Sequence, residues 1–357
     1  MPEHASPVLV EAIRGRLIES RHRGSAVVAD AEGNIVAAWG DADLAVYPRS
    51  AIKPLQALAL IETGAAKRFA VSAEEIALAC ASHDGEPEHV SRISAWLGRM
   101  GLGEADLECG AHAPTGAGAA EALIREGRAP SPIHNNCSGK HAGMLASARH
   151  LGEPTRGYIA PDHPAQQRLK RLLAEMSGAD LAEAPTGVDG CGIPVYAMPL
   201  KGLARAMAGL ARPDKGATFI ARVTPVGVHS HDDSPARPDR FESARGEAAR
   251  SVIAAMTRHP RLVSGQGRFD TEAMAEGAGL FVVKGGAEGM HAAAILGSGL
   301  GIALKIEDGA GRASAVVMAA LLFRFAGVSL PAWREIPLRN VAGREIGVLR
   351  PGPALRA

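Results

Sequence analysis

Apolar residues form short runs near the two ends of the chain and recur at three- and four-residue spacing between them. Near the start, SAVVAD (25–30) and NIVAAWG (34–40) are apolar runs split by AEG, which predicts a β-hairpin. After Pro48, the residues Ile52, Leu55, Leu58, Leu60 and Ile61 keep near-helical spacing, so a helix is expected from Ser50 or Ala51 to about Glu62. Pro54 fits that helix only in its first turn, where no amide partner is lost. Ser72 with Glu75 three residues later predicts a capping box and a helix to about Ala81.

The middle of the chain reads as helices at 89–100, 117–127, 140–151, 164–178 and 199–213, joined by loops rich in Gly, Pro and Asn. Residues 213–245 hold four prolines and little amphipathic order, so a long surface loop is expected. Its His229, His231, Asp232 and Asp233 fit a solvated polar loop better than a metal site. Strand patterns return at 279–289, 291–299 and 300–308, followed by a helix at 311–327. Strands at both ends with helices between them predict an α/β (α+β) unit over 1–335. Its terminal segments, 7–47 and 279–308, share an antiparallel sheet, a helical region spans about 50–212, and 336–357 forms a tail.

Composition narrows the classes. With 39 basic and 38 acidic side chains in 357 residues, the net charge of +1 argues against a protein held on nucleic acid or a membrane surface. Aromatics at 4% argue against base-stacking platforms. The first residues carry Glu3, Glu11, Arg14 and Arg16 where a signal peptide needs an apolar core, and no apolar run spans a bilayer, so a cytoplasmic location is expected. Four cysteines are too few for a disulfide scaffold, so any special ones are expected to be metal ligands or nucleophiles.

Four constellations could carry chemistry. Ser50 and Lys53 share a face of a helix start, where a lysine of lowered pKa can activate a serine. Ser82-His83-Asp84-Gly85-Glu86 gathers a hydroxyl, an imidazole and two carboxylates after an apolar helix. Lys284-Gly285-Gly286 places a lysine on an apolar strand, and the glycines after it allow close approach. The order S-x-x-K, second serine, C-terminal lysine–glycine is that of penicillin-recognising serine acyl enzymes. Finally, Cys137 and Cys191 sit in polar loops beside Gly, Asn or Asp. They are either zinc ligands or small thiols buried in tight turns, while Cys80 reads as core and Cys109 is unassigned.

The chain resembles the asparaginase II family of Rhizobium etli type. The matching segments are PRSAIKP (48–54), ASHDGE (81–86), NNCSGKH (135–141), GVDGC (187–191), KGGAEG (284–289) and LKIEDG (304–309). The resemblance implies a fold like serine β-lactamases and glutaminases, and hydrolysis of L-asparagine to aspartate and ammonia. It implies two serine–lysine tandems, Ser50 with Lys53 and Ser82 with Lys284. It also implies zinc held by Cys137, Lys140 and Cys191, with Asp189 beside the metal water, Arg49 and His141 orienting substrate or nucleophile, and a homodimer. Ser50 is the favoured nucleophile and Ser82 the other candidate. The alternatives are another acyl hydrolase of this fold, of glutaminase or penicillin-binding type, or a non-catalytic zinc-binding protein.

Overall fold

A computed structural model describes residues 6–212 and 238–356, with side chains from 244 onward in the second stretch. The strands are β1 (Val8–Arg14), β2 (Leu17–Ala29), β3 (Ile35–Trp39), β4 (Ala45–Val46), β5 (Thr186–Val188), β6 (Pro194–Tyr196), β7 (Met198–Pro199), β8 (Phe281–Gly285), β9 (Met290–Ile295), β10 (Leu300–Ile306), β11 (Ile336–Arg339) and β12 (Glu345–Pro351). The main sheet runs β11-β12-β1-β2-β10-β9-β8, with β3 also paired to β2, and every pairing is antiparallel. β2 does two jobs along its length. Residues up to Arg23 pair with β1, and Gly24–Ala29 pair with β10.

This is the α+β arrangement the sequence predicts. β9 is buried along its whole length, and β8 and β10 along most of theirs, so both faces of this part of the sheet are covered. The helices Leu200–Ala211 and Gly311–Ala326 both pack on β9 and β10. The helical region carries Lys53–Glu62, Ala73–Ala79, Pro87–Arg99, Ala117–Arg125, Ser138–His150 and Pro164–Ser177, each within a few residues of its expected span. Pro54 sits in the first turn, and Ser72 and Glu75 form the expected capping box.

Three expectations change. Residues 336–351 are no tail: β11 and β12 extend the sheet, and β12 pairs with β1 from Val10↔Pro351 to Arg14↔Gly347. Their prolines and charges hid a half-buried edge, which tolerates both. The expected 213–245 loop ends early, because a helix runs Pro238–Arg258. Its buried Ala248, Val252, Ala255 and Met256 keep helical spacing; residues 213–237, including His229, His231, Asp232 and Asp233, lie outside the described residues. The helix Phe269–Gly277 was also not anticipated, and it carries a residue of the site.

Candidate active site

Pro48 leads into a tight turn, Arg49–Ile52, before the Lys53–Glu62 helix begins. Arg49 adopts a left-handed backbone (φ 50°), uncommon for a side chain of its size and typical of constrained sites. Lys53 then points into the protein and is 1% exposed. Its Nζ donates to Ala81 O at 2.5 Å and to Ser82 Oγ at 3.0 Å. Ser82 follows the Ala73–Ala79 helix and is itself partly exposed, and its N–H is tied to Val263 O at 2.9 Å. Burial pushes the Lys53 amine below its usual range, and Lys140 and Lys284 push the same way against the Cys137 and Cys191 sulfurs.

Lys284 is equally buried but differently partnered. Its Nζ donates to Asp270 Oδ2 at 3.2 Å and to Gly285 O at 2.7 Å. Burial alone would raise the Asp270 carboxyl, but Lys284, His291 and the Gly285 N–H together hold it well below the usual carboxylate range. His291 Nε2 lies 2.9 Å from Asp270 Oδ1, and its Nδ1 lies 2.9 Å from Ser314 Oγ.

The hydrogen bonds therefore join Lys53 to Ser82 and Lys284 to Asp270, which differs from the tandems the resemblance implies. Among the described residues, no hydrogen bond links the Ser50 hydroxyl to Lys53. The physical reason is reach: a buried amine needs an acceptor, and the long Lys53 stem extends past the turn to the Ala81 carbonyl.

Cys137, Lys140 and Cys191 meet in the interior, all at most 5% exposed. Lys140 Nζ donates to Cys191 Sγ at 2.9 Å. The hydrogen bond between the two sulfurs, aided by Lys140 and Lys53, lowers the Cys137 thiol. Burial opposes charge on Lys140, but both sulfurs outweigh it and raise the amine above its usual range. Arg49 closes this side by donating two hydrogen bonds, 3.0 and 2.9 Å, to Asp189 Oδ1. Among the described residues no three His, Cys, Asp or Glu side chains are grouped to hold a metal. Two sulfurs and one nitrogen nevertheless converge, so the donor set fits zinc if Lys140 supplies the third ligand as a neutral amine.

His141 is completely buried beside this cluster. The Tyr158 hydroxyl accepts from Glu108 N–H at 2.9 Å, so its own proton goes to His141 Nδ1 at 2.8 Å. With that donation the hydrogen of the neutral ring lies on Nε2, which has no hydrogen-bond partner among the described residues. Burial, with Lys140 and Lys53 adding to it, keeps the ring neutral.

Close backbone approach holds the pieces together. A Cβ on Gly286 would lie 2.9 Å from Pro48 O and 3.1 Å from Ala51 N, so only glycine lets the segment after β8 press against the Ser50 turn. His83 stacks on His89 and bonds Ser138 Oγ at 2.9 Å, fastening the Ser82 loop to the helix that bears Lys140 and His141. Sequence reasoning missed Asp270, His291, Ser314 and Tyr158. The available signal was a histidine at the head of an otherwise apolar strand.

The L-asparaginase II family model matches residues 10–351. The chain belongs to the L-asparaginase II family. No curated protein matches it. Among solved structures, Mglu in its native form is 16% identical at TM-score 0.44, over 87% of this chain and 65% of Mglu's own length. A candidate β-lactamase from Bacteroides dorei DSM 17855 is 12% identical at TM-score 0.38, over 79% of this chain and 84% of that one. Family membership supports an amidohydrolase acting on a small molecule. No helix among the described residues is long and apolar enough to cross a membrane.

Proposed function

We propose that the chain hydrolyses L-asparagine to L-aspartate and ammonia through an acyl-serine. The observation that carries this reading is the buried Lys53 amine beside the Ser50 turn, held 3.0 Å from the Ser82 hydroxyl and shifted toward its neutral, basic form.

Both serines have a share in the reaction. Ser50 is the nucleophile, because donors for a developing oxyanion lie beside it. Neither its backbone N–H nor that of Ala287 has a hydrogen-bond partner among the described residues, and the Gly286 contact brings their segments together. Ser82 instead spends its N–H on Val263 O. Lys53 takes the Ser50 proton as Oγ attacks the side-chain amide carbon. The same proton passes through Ser82 Oγ to the leaving ammonia. Water then attacks the ester as Lys53 takes its proton, and that proton returns to Ser50 Oγ as aspartate leaves. The Lys53–Ser82 bond also favours a second reading, with Ser82 as nucleophile.

Lys284, paired with Asp270, supplies fixed positive charge near the reacting carbonyl. Arg49 and Asp189 offer one partner of each sign to a zwitterionic amino acid, and the His141 Nε2–H is a further donor for it. Zinc bound by Cys137, Lys140 and Cys191 would supply Lewis acidity there. The enzyme is taken as a homodimer, as the family resemblance implies.

Ammonia release from asparagine and glutamine, and ring opening of a β-lactam followed by its absorbance, test the substrate class. Faster turnover of glutamine or the β-lactam overturns asparagine as substrate. Ser50→Ala and Ser82→Ala test the mechanism, and wild-type rates in both would sink it. Trapped acyl-enzyme retained in Ser50→Ala but lost in Ser82→Ala would make Ser82 the nucleophile.

A further inference from the structure

The buried groups behind Lys284 form a chain across four elements. Ser314, on the Gly311–Ala326 helix, lies with its Oγ 2.9 Å from both His291 Nδ1 and Gly311 O, so its single hydroxyl hydrogen is shared between those two acceptors. On β9, His291 directs Nε2 at Asp270 Oδ1. Because a carboxylate only accepts, that ring nitrogen carries the hydrogen. Asp270, on the Phe269–Gly277 helix, turns its other oxygen to Lys284 Nζ at 3.2 Å and to Gly285 N–H at 2.9 Å, both on β8. All four side chains are at most 6% exposed. A chance surface contact would not be this dry or this fully partnered.

We infer that Asp270 and His291 are positioning residues that hold the Lys284 amine against a counter-charge and aimed at the reacting centre. Asp270 supplies the counter-charge. His291 holds one carboxylate oxygen so that the other faces the lysine. Ser314 fixes the histidine ring. Lys53 faces Lys284 from the Lys53–Glu62 helix and is itself an amine. Cys80, at the end of the Ala73–Ala79 helix, has its thiol pushed up to about 12 by burial and stays neutral. Arg268 lies on the Asp270 side and binds Asp84. Removing the Asp270 charge therefore takes away the carboxylate that Lys284 touches.

This inference rests on the asparaginase reading above, and its test separates the two. In wild type, kcat/KM for asparagine is followed against pH, and the side-chain nitrogen of Lys284 is followed by NMR in lysine-labelled protein. In Asp270→Asn the alkaline limb of kcat/KM and the Lys284 titration are both expected to move down by about one pH unit or more. His291→Phe is expected to move both by less, and His291→Gln, which can still donate to Asp270, to restore most of the wild-type profile. If Asp270→Asn does not fold, the two His291 variants carry the test. Lower rates with both limbs and the NMR titration unmoved would overturn the inference and leave a purely structural network. A shifted Lys284 titration in a protein that releases no ammonia from asparagine would uphold the inference and reject the asparaginase reading.

Discussion

Lys53 and Lys284 are each 1% exposed, yet their surroundings have opposite character. Around Lys53 lie a carbonyl, a hydroxyl, two sulfurs and two further lysines. Around Lys284 lies a carboxylate backed by an imidazole. Burial of this depth penalises charge on both amines, so neighbours decide the outcome. A base that must accept a proton is placed where charge is resisted. The other lysine is placed against a buried anion. In the proposed acyl transfer, two lysines of equal burial would thus serve opposite ends of one reaction.

The strongest way to break this comparison is to truncate each lysine in turn. Lys53→Met removes the base and is expected to lower kcat by about 10²–10⁴-fold with the smaller loss of stability, since the Cys137 sulfur beside it keeps Lys140 and Cys191 as partners. Lys284→Met strands Asp270 without its counter-charge and is expected to cost about 3–5 kcal/mol, read as a lowered urea midpoint. Adding Asp270→Asn to Lys284→Met should recover most of that loss. Equal destabilisation by the two Met variants would show that the lysines are not held differently.

Acid sharpens the same contrast. The folded state holds Asp270 well below its unfolded value of about 3.9. Its contribution to stability is therefore complete above the unfolded value and is lost as pH falls from about 5 toward the folded value. Urea midpoints measured from pH 7 to pH 3 are expected to fall more steeply in wild type than in the Lys284→Met/Asp270→Asn double variant. Parallel curves would mean that Asp270 carries no such linkage.

These differences show what the sequence could and could not reveal. Period and turn chemistry placed the helices from Lys53–Glu62 to Leu200–Ala211 and Gly311–Ala326, because spacing such as Leu55–Leu58 and punctuation such as Ser72–Glu75 are local, but not Pro238–Arg258 or Phe269–Gly277. The motif residues were legible as a group, and Lys53, Lys140, Lys284, Cys137 and Cys191 do converge. Their partners were not. Lys53 passes its neighbour Ser50 for a loop 29 residues away, a choice set by which acceptors burial leaves available. Asp270 lies in a helix whose sequence reads as ordinary surface, and only the fold turns it toward β8. Arg49 needed a left-handed backbone to reach Asp189, which no propensity announces.

Tyr158 gives a smaller effect at the edge of the site. Its hydroxyl satisfies both Glu108 N–H and His141 Nδ1, so Tyr158→Phe leaves two polar groups short of a partner. A cost of about 1–3 kcal/mol is expected. Activity should fall as well, because the His141 hydrogen is no longer confined to Nε2. An unchanged KM for asparagine would remove His141 from substrate recognition.

The smallest expected effect is a control that touches neither lysine. Ser72 caps the Ala73–Ala79 helix by accepting from Glu75 N–H at 3.3 Å, while the Glu75 carboxylate accepts from Ser72 N–H at 3.0 Å. Ser72→Ala removes one half of this reciprocal cap and should cost about 1 kcal/mol. The helix leads toward Ser82, but the far end of that segment is pinned separately, by Ser82 N–H on Val263 O and by the Lys53 contact with Ala81 O. Fraying at the cap should therefore stop before the site, leaving kcat and its pH profile unchanged while the urea midpoint drops. A loss of kcat larger than the loss of stability explains would mean that the Ala73–Ala79 helix sets the Ser82 position, and that Lys53 is held by this helix as much as by its own acceptors.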